Sequence, residues 1–215
     1  MKFETQGDTV KGWHSRGYLP HFDSPETVQH VIFRTSDSLP AAPLAGLPEH
    51  PQERFRRLDA ALDLGHGDGL LGRAGPACLV KAAMLHFDGQ RYRLIAWSDM
   101  PNHVHALVAQ AEGMSLGTIV HSWKSFTARK INEISARQGQ FWALDYFDRF
   151  IRTETHFHTT VEYIEQDSSR PDLWLRRLIG VSPRLSIARN KGNRRAVIAG
   201  VPLALPGAAL APQWR

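Results

Sequence analysis

The chain has 215 residues, a formal net charge of +5, 42% hydrophobic residues and a single cysteine. That length suits one domain with extensions, or two small ones, and can bury a sizeable core. No apolar run is long enough to span a bilayer, the N-terminus lacks a signal-peptide stretch, and Cys78 has no internal disulfide partner. A cytoplasmic protein with no membrane partner is therefore expected.

Charge is spread unevenly. Residues 168–215 hold nine Lys or Arg against one acid, Asp172, whereas residues 1–167 hold 17 bases against 20 acids. A nearly neutral body with a basic tail points to a polyanion partner, most simply nucleic acid.

Taken in order, residues 1–27 are polar and interrupted by Gly12, Gly17, Pro20 and Pro25, which predicts an arm with little regular structure. Residues 27–35 are rich in β-branched side chains and read as the first strand. The proline-rich stretch 36–51 reads as a loop. Phe55, Leu58 and Leu62 then recur at helical spacing over 52–64, until the glycines at 65, 67 and 69 break the helix. Pro76 opens a second helix that runs to about residue 87 and places Cys78 among apolar neighbours, as a core residue.

Asp88-Gly89 predicts a tight turn, and residues 92–98 a central strand. Met100-Pro101-Asn102 turns the chain into a further strand at 103–108, antiparallel to the last. Ser115 is the expected N-cap of a helix reaching about residue 137, with Ile119, Trp123, Phe126 and Ile131 on its apolar side and Lys124, Arg129 and Lys130 opposite. Residues 141–152 are aromatic-rich and end as a strand, and Thr153 or Thr155 caps a helix over 154–166. Leu173 to Ile179 allow one more helix, and the last twenty residues read as poorly ordered. This order predicts an α+β, ferredoxin-like fold: a central antiparallel sheet with helices packed on one face. The expected domains are an arm over 1–27, a catalytic body over 28–167 and a basic extension over 168–215.

The chemistry centres on Met100-Pro101-Asn102-His103-Val104-His105. On a strand, His103 and His105 share a face while Val104 and Ala106 share the other, so both imidazoles would look outward together. Paired neutral imidazoles suit one divalent metal ion. In the late helix, Tyr163 and Asp167 are one turn apart and share a face. Tyr146 is a rival tyrosine, in an aromatic stretch that favours a structural role. His86, His121, His156 and His158 have no partner at metal-ligand spacing.

Several segments together carry a resemblance: Arg16-Gly17-Tyr18-Leu19-Pro20-His21-Phe22, Phe33-Arg34, Asp37-Ser38-Leu39-Pro40, His86-Phe87-Asp88-Gly89, the Met-Pro-Asn-His-Val-His run, Trp123-Lys124-Ser125-Phe126-Thr127, Tyr146-Phe147-Asp148-Arg149-Phe150-Ile151-Arg152 and Tyr163-Ile164. In this order they resemble the REP-associated tyrosine transposases, within the HUH single-strand DNA endonucleases, over most of residues 16–167. The resemblance implies Tyr163 as nucleophile and Mg²⁺ or Mn²⁺ on His103, His105 and Asp167, where the family more often has an amide at the third position. It further implies nicking and rejoining of single-stranded DNA at hairpin repeats through a 5′-phosphotyrosine. Arg16, Lys124, Arg129, Lys130 and Arg152 would bind DNA, and a monomer is favoured over a dimer. The alternatives are a hairpin-binding protein of this fold without chemistry and a zinc-dependent hydrolase; no His-Glu-x-x-His run supports the latter.

Overall fold

The computed structural model describes residues 12–15, 20–25, 27–39, 51–167 and 180–181. Strands β1 (Gly12–Ser15) and β2 (Pro20–Asp23) form a hairpin. The main sheet holds β3 (Val28–Arg34), β4 (Tyr92–Asp99), β5 (His103–Gln110), β6 (Phe147–Phe150) and β7 (Gly180–Val181), in the order β6-β3-β5-β4-β7. All neighbours pair antiparallel. The helices are α1 (Pro51–Leu62), α2 (Ala74–His86), α3 (Leu116–Ile134) and α4 (Glu154–Asp167).

The fold is α+β. Strands β3, β4, β5 and β6, with α2 and α3 as crossovers, make the expected ferredoxin-like βαββαβ unit. Val31, Phe33, Val104, Ala106 and Val108 face α2 and α3 in the larger core, with Met84, Ile119 and Trp123. Two of the large rings there pair their polar handles: the Trp123 indole donates to Tyr92 Oη at 2.8 Å, and Tyr92 donates to the Met84 carbonyl at 2.7 Å.

The second face of the sheet is covered as well. Ile164 and Phe157 of α4 pack on Val28, Ile95 and Leu107, while Leu58 and Leu62 of α1 pack on Ile32 and Phe147. The imidazoles on this face therefore do not look outward: His103 and His105 are both wholly buried. Alternation shows which side chains share a face, not whether that face is covered. Phe126 and Cys78 are exposed on their helices instead of joining the core.

The N-terminal segment is more regular than composition suggests. Phe22 of β2 stacks on Phe150 of β6 with ring centres 4.9 Å apart, and Trp13 lies 5.8 Å from the same ring. His21 sits between Asp145, at 3.1 Å, and Asp148. Burial alone would lower the pKa of His21; hydrogen bonds and charge from the two aspartates outweigh it and raise the value to about 9. The hairpin is thus held to the sheet edge by aromatic packing and a buried ion pair. Thr153, not Thr155, caps α4, accepting the His156 N–H at 3.1 Å. The helix expected at 173–179 and the last twenty residues lie outside the described residues. No helix among the described residues is long and apolar enough to cross a membrane.

Asp99, at the end of β4, is a liability to the fold. Both its oxygens are buried without a hydrogen-bond partner among the described residues, and burial pushes its pKa up to about 8 against the pull of Lys81. A carboxyl whose folded pKa exceeds its unfolded value contributes stability that is complete below the unfolded value and lost as pH rises through the folded one. Urea denaturation of Asp99→Asn at pH 6 and pH 9 should show a gain of about 1–3 kcal/mol over wild type at the higher pH, and a smaller gain at the lower.

Candidate active site

The site grows from the turn before β5. Asn102 is almost wholly buried, and its side-chain amide donates to two carbonyls, Leu62 O at 3.1 Å and His66 O at 2.9 Å. With its nitrogen fixed by two acceptors, its Oδ1 must face the other way, and His103 Nδ1 donates to it at 2.7 Å. A neutral His103 then carries its proton on Nδ1 and presents a bare lone pair at Nε2. One buried amide thus sets the tautomer of His103 and ties β5 to the end of α1.

His105 Nε2 lies 3.0 Å from His103 Nε2, and His105 Nδ1 lies 3.1 Å from His30 Nε2 on β3. Burial first, then the neighbouring His105, Arg149 and His156, hold His30 well below its ordinary pKa, so it is neutral. From α1, one turn before its end, Asp59 brings Oδ1 to 3.5 Å from His105 Nε2. From α4, the Tyr163 hydroxyl donates to Asp59 Oδ2 at 2.5 Å, and its ring crosses that of His105 edge-on with centres 5.6 Å apart.

Asp59, His103 and His105 each offer one ligand atom, all within 4.8 Å of one another. Two imidazoles and one carboxylate suit a divalent first-row metal ion or Mg²⁺. The hydrogen bonds from the far nitrogens of both histidines supply the support such ligands need. With His103 Nε2 bare, the contact between the two imidazoles puts the His105 proton on Nε2. An ion held there would shift that proton to Nδ1, where His30 Nε2 accepts it.

Beside Tyr163 opens a cleft of about 670 Å³, lined among others by His30, Phe55, Arg56, Asp59, Arg149 and Arg152. His156 borders it, its pKa brought down to about 4 by burial and then by Arg149 and Arg152.

Of the residues expected from sequence, Tyr163, His103 and His105 come together, and Arg152 lines the adjoining cleft. The side chain of Asp167 and the whole of Arg16 lie outside the described residues. Lys124, Arg129 and Lys130 belong to α3, on the opposite layer of the sheet from the imidazoles. Lys124 donates to the Leu144 carbonyl at 2.8 Å, and Lys130 pairs with Glu133 at 3.0 Å. Tyr146 is buried in the larger core and stacked on His21, with ring centres 4.7 Å apart. Asp59, His30, Arg56 and Arg149 went unassigned in the sequence. Phe55 and Asp59 stand four apart beside Leu58 and Leu62, so the helix face was readable, but not what it faces.

Residues 85–167 match the family model described as "Transposase IS200 like". The match agrees with the resemblance read from the residues and supports a transposase. Among solved structures, a REP-associated tyrosine transposase bound to a REP hairpin is similar at 13% identity and a TM-score of 0.45, over 70% of this chain and 78% of that one. A proposed transposase of Deinococcus radiodurans is similar at 17% identity and a TM-score of 0.34, over 71% of this chain and 95% of that one. Among curated proteins, none matches this sequence.

The Asn102 clamp has a direct consequence for stability. Asn102→Ala removes two buried hydrogen bonds and one part-buried one; the His66 carbonyl and the His103 Nδ1–H lose this partner, while Leu62 O keeps the Gly65 N–H at 3.0 Å. It should cost about 2–4 kcal/mol in chemical denaturation, well above the effect of a single exposed polar truncation.

Proposed function

From the match of residues 85–167 to the IS200-like transposases, we propose that this protein cuts and rejoins single-stranded DNA beside a hairpin, with Tyr163 as nucleophile. One observation carries the reading: the Tyr163 hydroxyl, Asp59 and the two imidazoles form a continuous chain of contacts at 2.5, 3.5 and 3.0 Å.

His103, His105 and Asp59 would hold a divalent ion, Mg²⁺ or Mn²⁺, with Asp167 a further ligand on the family resemblance. Such an ion, when bound, polarises the scissile phosphate and screens its charge. The remaining steps belong to the chain's own groups. A free phenol has a pKa near ~10 and is a poor nucleophile at neutral pH. Asp59 Oδ2 already accepts its hydrogen bond and is placed to take the proton as the oxygen attacks phosphorus. A P–O bond to Tyr163 forms, the bond to the 3′-oxygen breaks, and that oxygen leaves as a hydroxyl after taking a proton from water. The 5′-phosphotyrosine keeps the bond energy, so attack by a 3′-hydroxyl reverses the step and joins strands without ATP.

Two features favour a well-aimed phenol. Ile164, next to Tyr163, is wholly buried against the sheet and fixes the rotation of α4. Asp59 rides on a helix anchored by Leu58 and Leu62, so both partners of the short hydrogen bond sit on packed elements.

The test uses a pool of hairpin oligonucleotides with single-stranded flanks, labelled at the 3′ end. Wild type should form a labelled covalent adduct only with Mg²⁺ or Mn²⁺. Tyr163→Phe should abolish it and Tyr146→Phe should retain it. Asp59→Asn should slow adduct formation by about 10²-fold or more, and Asp167→Asn by less. Wild-type protein that binds the pool without ever forming an adduct would replace this reading with that of a hairpin-binding protein.

A further inference from the structure

The cleft beside Tyr163 has walls of two kinds. Arg56, Arg149 and Arg152 all face it, and among the described residues none of the three is within ion-pair distance of a carboxylate. Arg149 is half-buried, and burial, then the charges of Arg152 and Arg56, lower its pKa. Cations gathered without counter-ions repel one another, and such a group is well suited to an anion that fills the space between them. The second kind of wall is aromatic. Phe55 lies with its ring 5.0 Å from that of His30, and the Arg149 guanidinium stands 6.0 Å from its centre. The volume, about 670 Å³, is within the range of small-ligand pockets and exceeds what one phosphate needs.

We propose that this cleft seats one unpaired nucleotide of the substrate strand, its base against Phe55 and its flanking phosphates on Arg149, Arg152 and Arg56. A paired, stacked base has its faces and edge covered, so only an unpaired one can lie on the ring. The cleft would thereby select single strand over duplex next to the bond that is cut. The identity of the strand rests on the strand-cutting reading above, whereas binding in the cleft does not require Tyr163 to react.

The experiment measures affinity of the full chain, carrying Tyr163→Phe to prevent covalent capture, for oligo(dT) of about twelve nucleotides and for an abasic strand of equal length, over a range of salt. Arg149→Gln and Arg152→Gln should each weaken both strands about 5- to 20-fold and lower the salt slope by about one. Phe55→Leu should weaken oligo(dT) about fivefold and leave the abasic strand unchanged. Relief of repulsion means Arg149→Gln should melt no lower than its parent, which separates lost binding from lost folding. If the double arginine variant binds both strands with the parent's affinity and slope, the cleft is not the seat. If the arginine changes act but Phe55→Leu weakens neither strand, it is a phosphate site only and the nucleotide seat is overturned. Failure of the strand-cutting reading shows separately, as wild-type protein that binds oligonucleotide and forms no adduct.

Discussion

The short hydrogen bond between Tyr163 and Asp59 joins two helices that enter the fold more than a hundred residues apart. Helix α1 comes before β4 and β5 in sequence, and α4 after them. Both settle on the face of the sheet that carries the imidazoles, and their polar side chains meet over β5. Phenol, carboxylate and imidazole are costly to bury singly, each leaving donors or acceptors unmet. Buried together they satisfy one another, and the arrangement stays in place only while both helices keep their seats.

That requirement explains the division of the molecule into two layers. The layer of α2 and α3 is apolar to its centre, where the Trp123 indole and the Tyr92 hydroxyl bond internally. It fixes β5 from behind through Val104, Ala106 and Val108. The other layer has smaller apolar clusters, just enough to seat α1 and α4 around a polar centre. A strand held rigidly on one side can present precise chemistry on the other.

The scaffold and the histidine strand were legible because both are local. The alternation at His103-Val104-His105, the cap at Ser115 and the apolar spacing of Ile119, Trp123 and Ile131 depend on neighbours within a turn or two, and the structure holds all three features. What escaped was what faces what. The same alternation left the imidazoles pointing to solvent, because nothing local to β5 records that α1 covers them. Nothing local marks Asp59, since its partners are His105 and Tyr163, far along the chain. The arm before β3 looked irregular because its hairpin is anchored by Phe150, Asp145 and Asp148, far along the chain. The side chain of Asp167, where the family it resembles more often has an amide, lies outside the described residues, and apart from Gly180–Val181 so does the segment after it.

Net charge misleads in the same way. Residues 1–167 carry more acids than bases, yet among the described residues the cleft beside Tyr163 presents three guanidiniums and a single carboxylate, Asp59. Electrostatic recognition depends on which charges share a low-dielectric concavity, not on their sum over the surface. His30 makes this local field relevant to the site itself. It faces the cleft, feels the charge of Arg149 and touches His105 through Nε2. Because the proton between His30 and His105 must sit on one nitrogen or the other, the charges in the cleft bias the same tautomer that a metal ion at His105 would require. A phosphate in the cleft would offset the positive charge of Arg149, and through the hydrogen bond between His30 and His105 that change of charge would reach the imidazole pair.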